Sequence, residues 1–139
     1  MDYGGHDSIY EHNLVIGFPH RVSCIGFGSF LPGHGHVVLN NRCIVPSIAK
    51  PIIELARCDE KSNVVLASNQ YFGPSKNITI RCGYGNDPIP FLTAQEMYSI
   101  ERNSTIDTLP TNQQILAWAN ETLYPVREFK DFEVEPKAA

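Results

Sequence analysis

HVVLNNRCIVP, residues 36–46, sets an Asn pair between two apolar runs, with Arg42 its only plain charge. Two other stretches align with it: IYEHNLVIGF (9–18) and VLASNQYFGP (65–74) match VVLNNRCIVP (37–46). Asn13, Asn41 and Asn69 then recur at a constant 28-residue step. Apolar positions keep the same step, as Ile9/Val37/Val65, Tyr10/Val38/Leu66, Val15/Cys43/Tyr71 and Ile16/Ile44/Phe72. Pro46 and Pro74 close their segments, and Phe18-Pro19 closes the first one residue later. A second band repeats in step: SCIGFG (23–28), PIIELA (51–56) and TIRCGY (79–84).

Each unit therefore reads as a strand, an Asn corner, a second strand, a loop, a third strand and a longer loop. Such a repeat predicts an all-β chain, a parallel β-helix of three to four 28-residue coils. A β-sandwich with chance spacing is the alternative, but sandwich turns seldom keep one interval with matched apolar positions on both sides. Asn13, Asn41 and Asn69 are assigned to the corner itself, because a sharp bend needs positive φ and Asn tolerates it. Strands stack about 4.8 Å apart, so their amides are expected to form a hydrogen-bonded ladder.

The repeat fails after Pro90, which divides the chain into coils over 1–92 and a C-terminal extension over 93–139. In the extension, LPTNQQILAWANETL (109–123) changes to a helical period. Thr111 and Gln114 make a capping box, and Ile115, Leu116, Trp118, Ala119 and Leu123 form an apolar stripe. A short helix over 111–123, limited by Pro125, is expected to pack on the flank or the end of the coils and there to cover strand edges, with a polar tail after it. No capping element precedes the first coil. Upstream coils, or another protein chain, are therefore expected at the N-terminal end.

Composition narrows the partners. The 139 residues are 42% apolar and 19% charged, with 11 basic against 15 acidic side chains and a net charge of −4. Without a Lys/Arg run there is no cluster to neutralise phosphates, so no nucleic-acid partner is expected. No apolar run reaches the ~20 residues of a membrane span. MDYGGHDSIY lacks the basic and apolar regions of a signal peptide, so a signal would lie outside this chain.

Cys24, Cys43, Cys58 and Cys82 contain no C-x-x-C pair, which disfavours a zinc ribbon or finger. Their pairing is open, and Cys43, between Val15 and Tyr71 in register, fits a buried free thiol as well as a disulfide. Sequons begin at Asn77, Asn103 and Asn120, against about one expected by chance from the Asn and Ser/Thr content. They point to a glycosylated, secreted chain.

The coil pattern YGGHDSIYEHNLVIG, PGHGHVVLNNRCIV, SNVVLASNQYF resembles the right-handed parallel β-helix, or pectin-lyase-like, superfamily of secreted carbohydrate-active proteins. PFLTAQEMYSIERNSTI followed by the 109–123 helix looks like the tail after the last coil in many of them. It departs from that tail with Met97 near the usual Gln and Ile100-Glu101-Arg102 where Gly-x-Asp is common. The resemblance implies a C-terminal part of a larger β-helix in contact with polysaccharide, and lyase or glycoside hydrolase activity is left open. The fold also hosts non-catalytic scaffolds, so the alternative is an assembly module whose β-helices stack end to end or dock on a partner.

His6, His12, His20, His34 and His36 all lie in the first 36 residues. His6 and His34 share the 28-residue register, so GGHD and PGHG should stack. Two imidazoles about 5 Å apart, with Asp7 and His36 nearby, can ligate a metal or act as base and acid. Turn capping is the commoner role for such histidines, and no metal is assigned. His6, His34, His36 and Arg21 are nominated as catalytic base and charge-neutralising groups. Arg57, Arg81, Glu54 and Tyr84 are nominated to bind sugar, the arginines because a guanidinium takes a carboxylate bidentately. Tyr71 and Phe72 also offer rings, with Phe72 read as core. No two carboxylates repeat in register, which weakens a glycosidase, and no calcium-binding motif or other cofactor signal appears.

Overall fold

The structure, a computed structural model, describes residues 6–17 and 23–124. Arg21, Phe18-Pro19, Pro125 and the polar tail lie outside these described residues.

Strands β1 (Ile9–Glu11), β2 (Leu14–Ile16) and β3 (Ile25–Phe27) form a first unit. The second holds β4 (Val37–Leu39), β5 (Arg42–Ile44) and β6 (Ile53–Leu55), and the third β7 (Val65–Ala67), β8 (Gln70–Gly73) and β9 (Thr79–Cys82). Each unit gives one strand to each of three sheets: β1-β4-β7, β2-β5-β8 and β3-β6-β9, all paired in parallel. The register is that of the sequence repeat in the first two sheets, with Ile9 opposite Val37, Val37 opposite Val65, Val15 opposite Cys43 and Cys43 opposite Tyr71.

The architecture nevertheless departs from the expected all-β parallel β-helix. The strands sort into three separate sheets that do not close into a helix. One sheet is mixed, because β10 (Ile89–Pro90) turns back antiparallel to β9. Two α-helices, α1 (Phe91–Tyr98) and α2 (Asn112–Leu123), accompany the strands where a single short one was expected. The physical cause is visible in the third unit: Gly83 (φ +96°) and Gly85 (φ +75°) reverse the chain after β9. Pro90 then lacks the N–H that would carry a strand onward, and α1 follows directly.

The third sheet also slips. Ile53 faces Ile80 and Glu54 faces Arg81, a 27-residue step rather than 28. Moving a strand by one residue turns every side chain to the opposite face. The slip puts Ile80 inside, fully buried beside Ile53 and Leu55, where the unshifted register would have placed Arg81.

The core lies between the three sheets. Val38 and Leu66 fill it from the first, Cys43 and Tyr71 from the second, and Phe27, Ile53, Leu55 and Ile80 from the third. Tyr71, not Phe72, is the core aromatic of β8; its ring meets Phe91 of α1 edge-on at 5.4 Å. Phe72 points to the outer face of its sheet and packs on Trp118 of α2 at 5.0 Å. There Arg42 lies over the Trp118 ring at 4.8 Å and pairs with Glu121 at 2.9 Å. α2 thus takes the flanking place, against a sheet face, and does not cover the strand edges. It starts with the capping box: the Thr111 side chain accepts from the Gln114 N–H, and the Gln114 side chain accepts from the Thr111 N–H.

Repeat pairing resumes beyond α1. β11 (Thr105–Thr108) joins β8 in parallel, with Thr105 opposite Gln70, and Arg102 bridges Ala67. The step from Asn69 to its counterpart Ser104 is 35 residues. The C-terminal extension therefore adds a fourth strand to the second sheet, α1 being the insertion that lengthens the step.

The Asn column forms, but the corner is one residue earlier. His12, Asn40 and Ser68 carry the positive φ, each +55°. Asn13, Asn41 and Asn69 follow the bend. Asn13 Nδ2 donates to Asn41 Oδ1 at 2.9 Å and Asn41 Nδ2 to Asn69 Oδ1 at 3.1 Å, with the backbone N–H of each donor residue on the same oxygen. Asn69 Nδ2 continues to Glu101 Oε2 at 3.2 Å. Glu101 is fully buried and also accepts from the Tyr71 hydroxyl at 2.5 Å and from the Ser104 hydroxyl. Burial pushes its carboxyl up despite these three donors, and burial likewise raises the Tyr71 phenol.

Cys24 pairs with Cys43 (Cα–Cα 6.2 Å) and Cys58 with Cys82 (Cα–Cα 5.3 Å). Cys43 is therefore not a free thiol. Each bridge joins consecutive units, the first to the second and the second to the third. Closing loops of this size stabilises by about 3 kcal/mol apiece in the chain-entropy account. Among the described residues no helix is long and apolar enough to cross a membrane. The two disulfides are compatible with an extracellular, oxidising setting.

Candidate functional site

Three of the four side chains nominated for sugar meet in one groove. Glu54 comes from β6, Arg81 from β9 and Tyr84 from the turn after β9. The groove, of about 210 Å³, is floored by Gly26, Gly28, Gly83 and Gly85 beside Phe27 and Leu55. The register slip creates it: in an unshifted register Glu54 would face Cys82. Arg81 Nη1 donates to Glu54 Oε1 at 2.9 Å, and both side chains stay about a third exposed.

Tyr84 is 73% exposed yet held, since its hydroxyl donates to the Gly28 carbonyl at 2.5 Å. Gly83 sits at φ +96°, a backbone conformation that side-chain-bearing residues rarely adopt, so the turn that presents the ring depends on glycine. An exposed ring fixed at its far end is a preorganised stacking surface, which lowers the ordering cost of binding. Beside it the Glu54–Arg81 pair offers carboxylate acceptors and guanidinium donors.

The remaining nominees lie elsewhere. Arg57 forms a two-pronged pair with Asp59, both contacts at 2.6 Å, which raises its own affinity for the proton and lowers that of Asp59. That fork is occupied within the chain. His36 is buried and stacks on Phe27, with ring centroids 4.3 Å apart, so it is a core residue and does not reach a substrate. Asn77, Asn103 and Asn120 are all exposed.

His6 and His34 do meet, through Asp7. His34 Nδ1 lies 2.6 Å and His6 Nδ1 3.1 Å from Asp7 Oδ2, and the rings are 4.4 Å apart. The Gly35 N–H donates to Asp7 Oδ1 at 3.1 Å. The His34 contact, the Gly35 N–H and the His6 contact together hold the Asp7 carboxyl well below the usual carboxylate range. None of His6, His34 and His36 lines the Tyr84 groove.

The glycine floor was not anticipated from sequence. Its signal was present in GFG (26–28) and GYG (83–85), carried by β3 and by the turn after β9, which flank β6 and line the same groove. Asp7 was legible as a neighbour of the histidines, but not as their common acceptor. No family model, curated protein or solved structure matches this chain, so the likeness to pectin-lyase-like proteins stays a likeness of sequence pattern.

Proposed function

We propose that the chain is a secreted saccharide-binding module and that the Glu54–Arg81–Tyr84 groove is its binding site. The observation that carries this is the convergence of a pinned, exposed tyrosine ring with a partly exposed acid–base pair over a glycine floor. Glycines let the face of a sugar ring approach the backbone, Tyr84 offers it a stacking surface, and Glu54 and Arg81 address its hydroxyls or a uronate carboxylate. Two disulfides and three exposed sequons support secretion and glycosylation. The reading is binding rather than cleavage, because the groove holds one carboxylate, already paired, and the candidate histidine base lies outside it.

The test is affinity electrophoresis against a panel of acidic and neutral polysaccharides. Tyr84→Ala should weaken the best ligand about tenfold, the loss of ~1.4 kcal/mol expected for one stacked ring, with melting unchanged. Equal binding by wild type and Tyr84→Ala sinks the assignment. Unsaturated products at 235 nm or new reducing ends would instead make the protein an enzyme.

A second reading, self-assembly, is favoured by a different observation. β1, β2 and β3 are the outer strands of all three sheets, and a largely apolar cavity of about 280 Å³ opens among Tyr10, Val15, Phe27 and Tyr71. Such edges accept strands of a second copy. Sedimentation across a concentration series should then show association; one monomeric species throughout counts against it.

A further inference from the structure

We propose that His6, Asp7 and His34 form a binding site for one divalent transition-metal ion of the Zn2+ type. The site is separate from the saccharide groove and does not depend on it.

The donor set argues for this class of ion. Two imidazole nitrogens and one carboxylate oxygen are a known set of three protein ligands for Zn2+, with the fourth position left to water. Ca2+ and Mg2+ are hard ions that favour all-oxygen shells, and these residues do not provide one. One ligand atom from each residue lies within 4.8 Å of the others. Bonds of about 2.0–2.1 Å require them to draw closer. The side chains can do so, being 53%, 56% and 39% exposed for His6, Asp7 and His34.

The backbone beneath them is built rather than accidental. Asp7 sits at φ +57° and Asn63 at φ +53°, with Gly35 between them in the same 28-residue register. Gly35 passes so close to the next unit that an added Cβ would lie 2.2 Å from the Asn63 carbonyl oxygen. Asn63 Nδ2 donates to the His34 carbonyl at 3.4 Å, tying the turn that carries His34. The Gly35 N–H occupies Asp7 Oδ1 and so aims Oδ2 at the two imidazoles. A hydrogen bond to the far atom of a ligating group is what orients metal ligands in known sites. Both histidines already present the same nitrogen, Nδ1, to that oxygen.

Calorimetric titration of the full, oxidised chain with ZnCl2 tests the proposal. One equivalent should bind, and His34→Ala and Asp7→Asn should each weaken binding about tenfold or more. His12→Ala, on a different surface beside Asn13 and Arg42, should leave it unchanged. Absence of a saturable equivalent, or wild-type affinity in both His34→Ala and Asp7→Asn, overturns the assignment. Because Asp7→Asn can disturb the turn, a second measurement uses the unaltered chain. Zn2+ should protect His6 and His34 from carbethoxylation, read by peptide mass. Protection confined to His12 or His20 would place the ion elsewhere and end the proposal.

Discussion

Asn40 and Asn41 are adjacent and chemically identical, yet the fold uses them differently. Asn40 provides a left-handed backbone at φ +55°, a task Ser68 performs at the equivalent position. Asn41 is buried, and its amide serves Asn13, Asn69 and the carbonyls of Tyr10 and Leu39. Asn41→Val strands several of these groups, each at a cost of about 1–3 kcal/mol. The expected loss is therefore about 3 kcal/mol or more by thermal or denaturant unfolding, while Asn40→Ser should stay within ~0.5 kcal/mol. Equal shifts for the two variants would disprove the division of labour. Spacing alone disclosed the column, because a ladder demands constant intervals. It could not disclose which Asn takes the positive φ, since the two are the same residue type and tolerate it equally.

Among elements, those governed by local chemistry were readable and those governed by register were not. The helix at Asn112–Leu123 announces itself by Thr111, Gln114 and a change of period. The slip of β9 hides because TIRCGY fits either register by eye, and only the burial of Ile80 decides between them. β11 was missed because α1 lengthens the step to 35 residues, and that insertion brings a consequence for pH. The segment between α1 and β11 delivers Glu101 onto the end of the Asn column. With its carboxyl raised by burial, the folded chain keeps a proton that the unfolded chain, titrating near the model value of 4.5, has lost. Stability therefore falls as pH rises from the unfolded value through the folded one. Glu101→Gln cannot titrate, so the melting temperature of wild type relative to this variant should rise as the pH is lowered toward the unfolded value of 4.5. A difference between the two that does not change with pH would show that Glu101 does not titrate differently in the folded state.

For the molecule as a whole, the three-strand repeat was legible, whereas closure was not. Nothing in a 28-residue interval distinguishes strands that close into a helix from strands that sort into separate sheets, one turned back by Gly83, Gly85 and Pro90. The histidine register predicted the meeting of His6 and His34 but also suggested His36, which the core claims. The cysteines, unpairable from spacing, prove to link neighbouring units in series. That arrangement has a consequence for proteolysis. A protease that cuts the exposed Leu31–Gly33 turn leaves its two pieces tethered through Cys24–Cys43, and a cut beside Glu60 leaves them tethered through Cys58–Cys82. A molecule nicked at either place stays one covalent piece until a reductant reaches it.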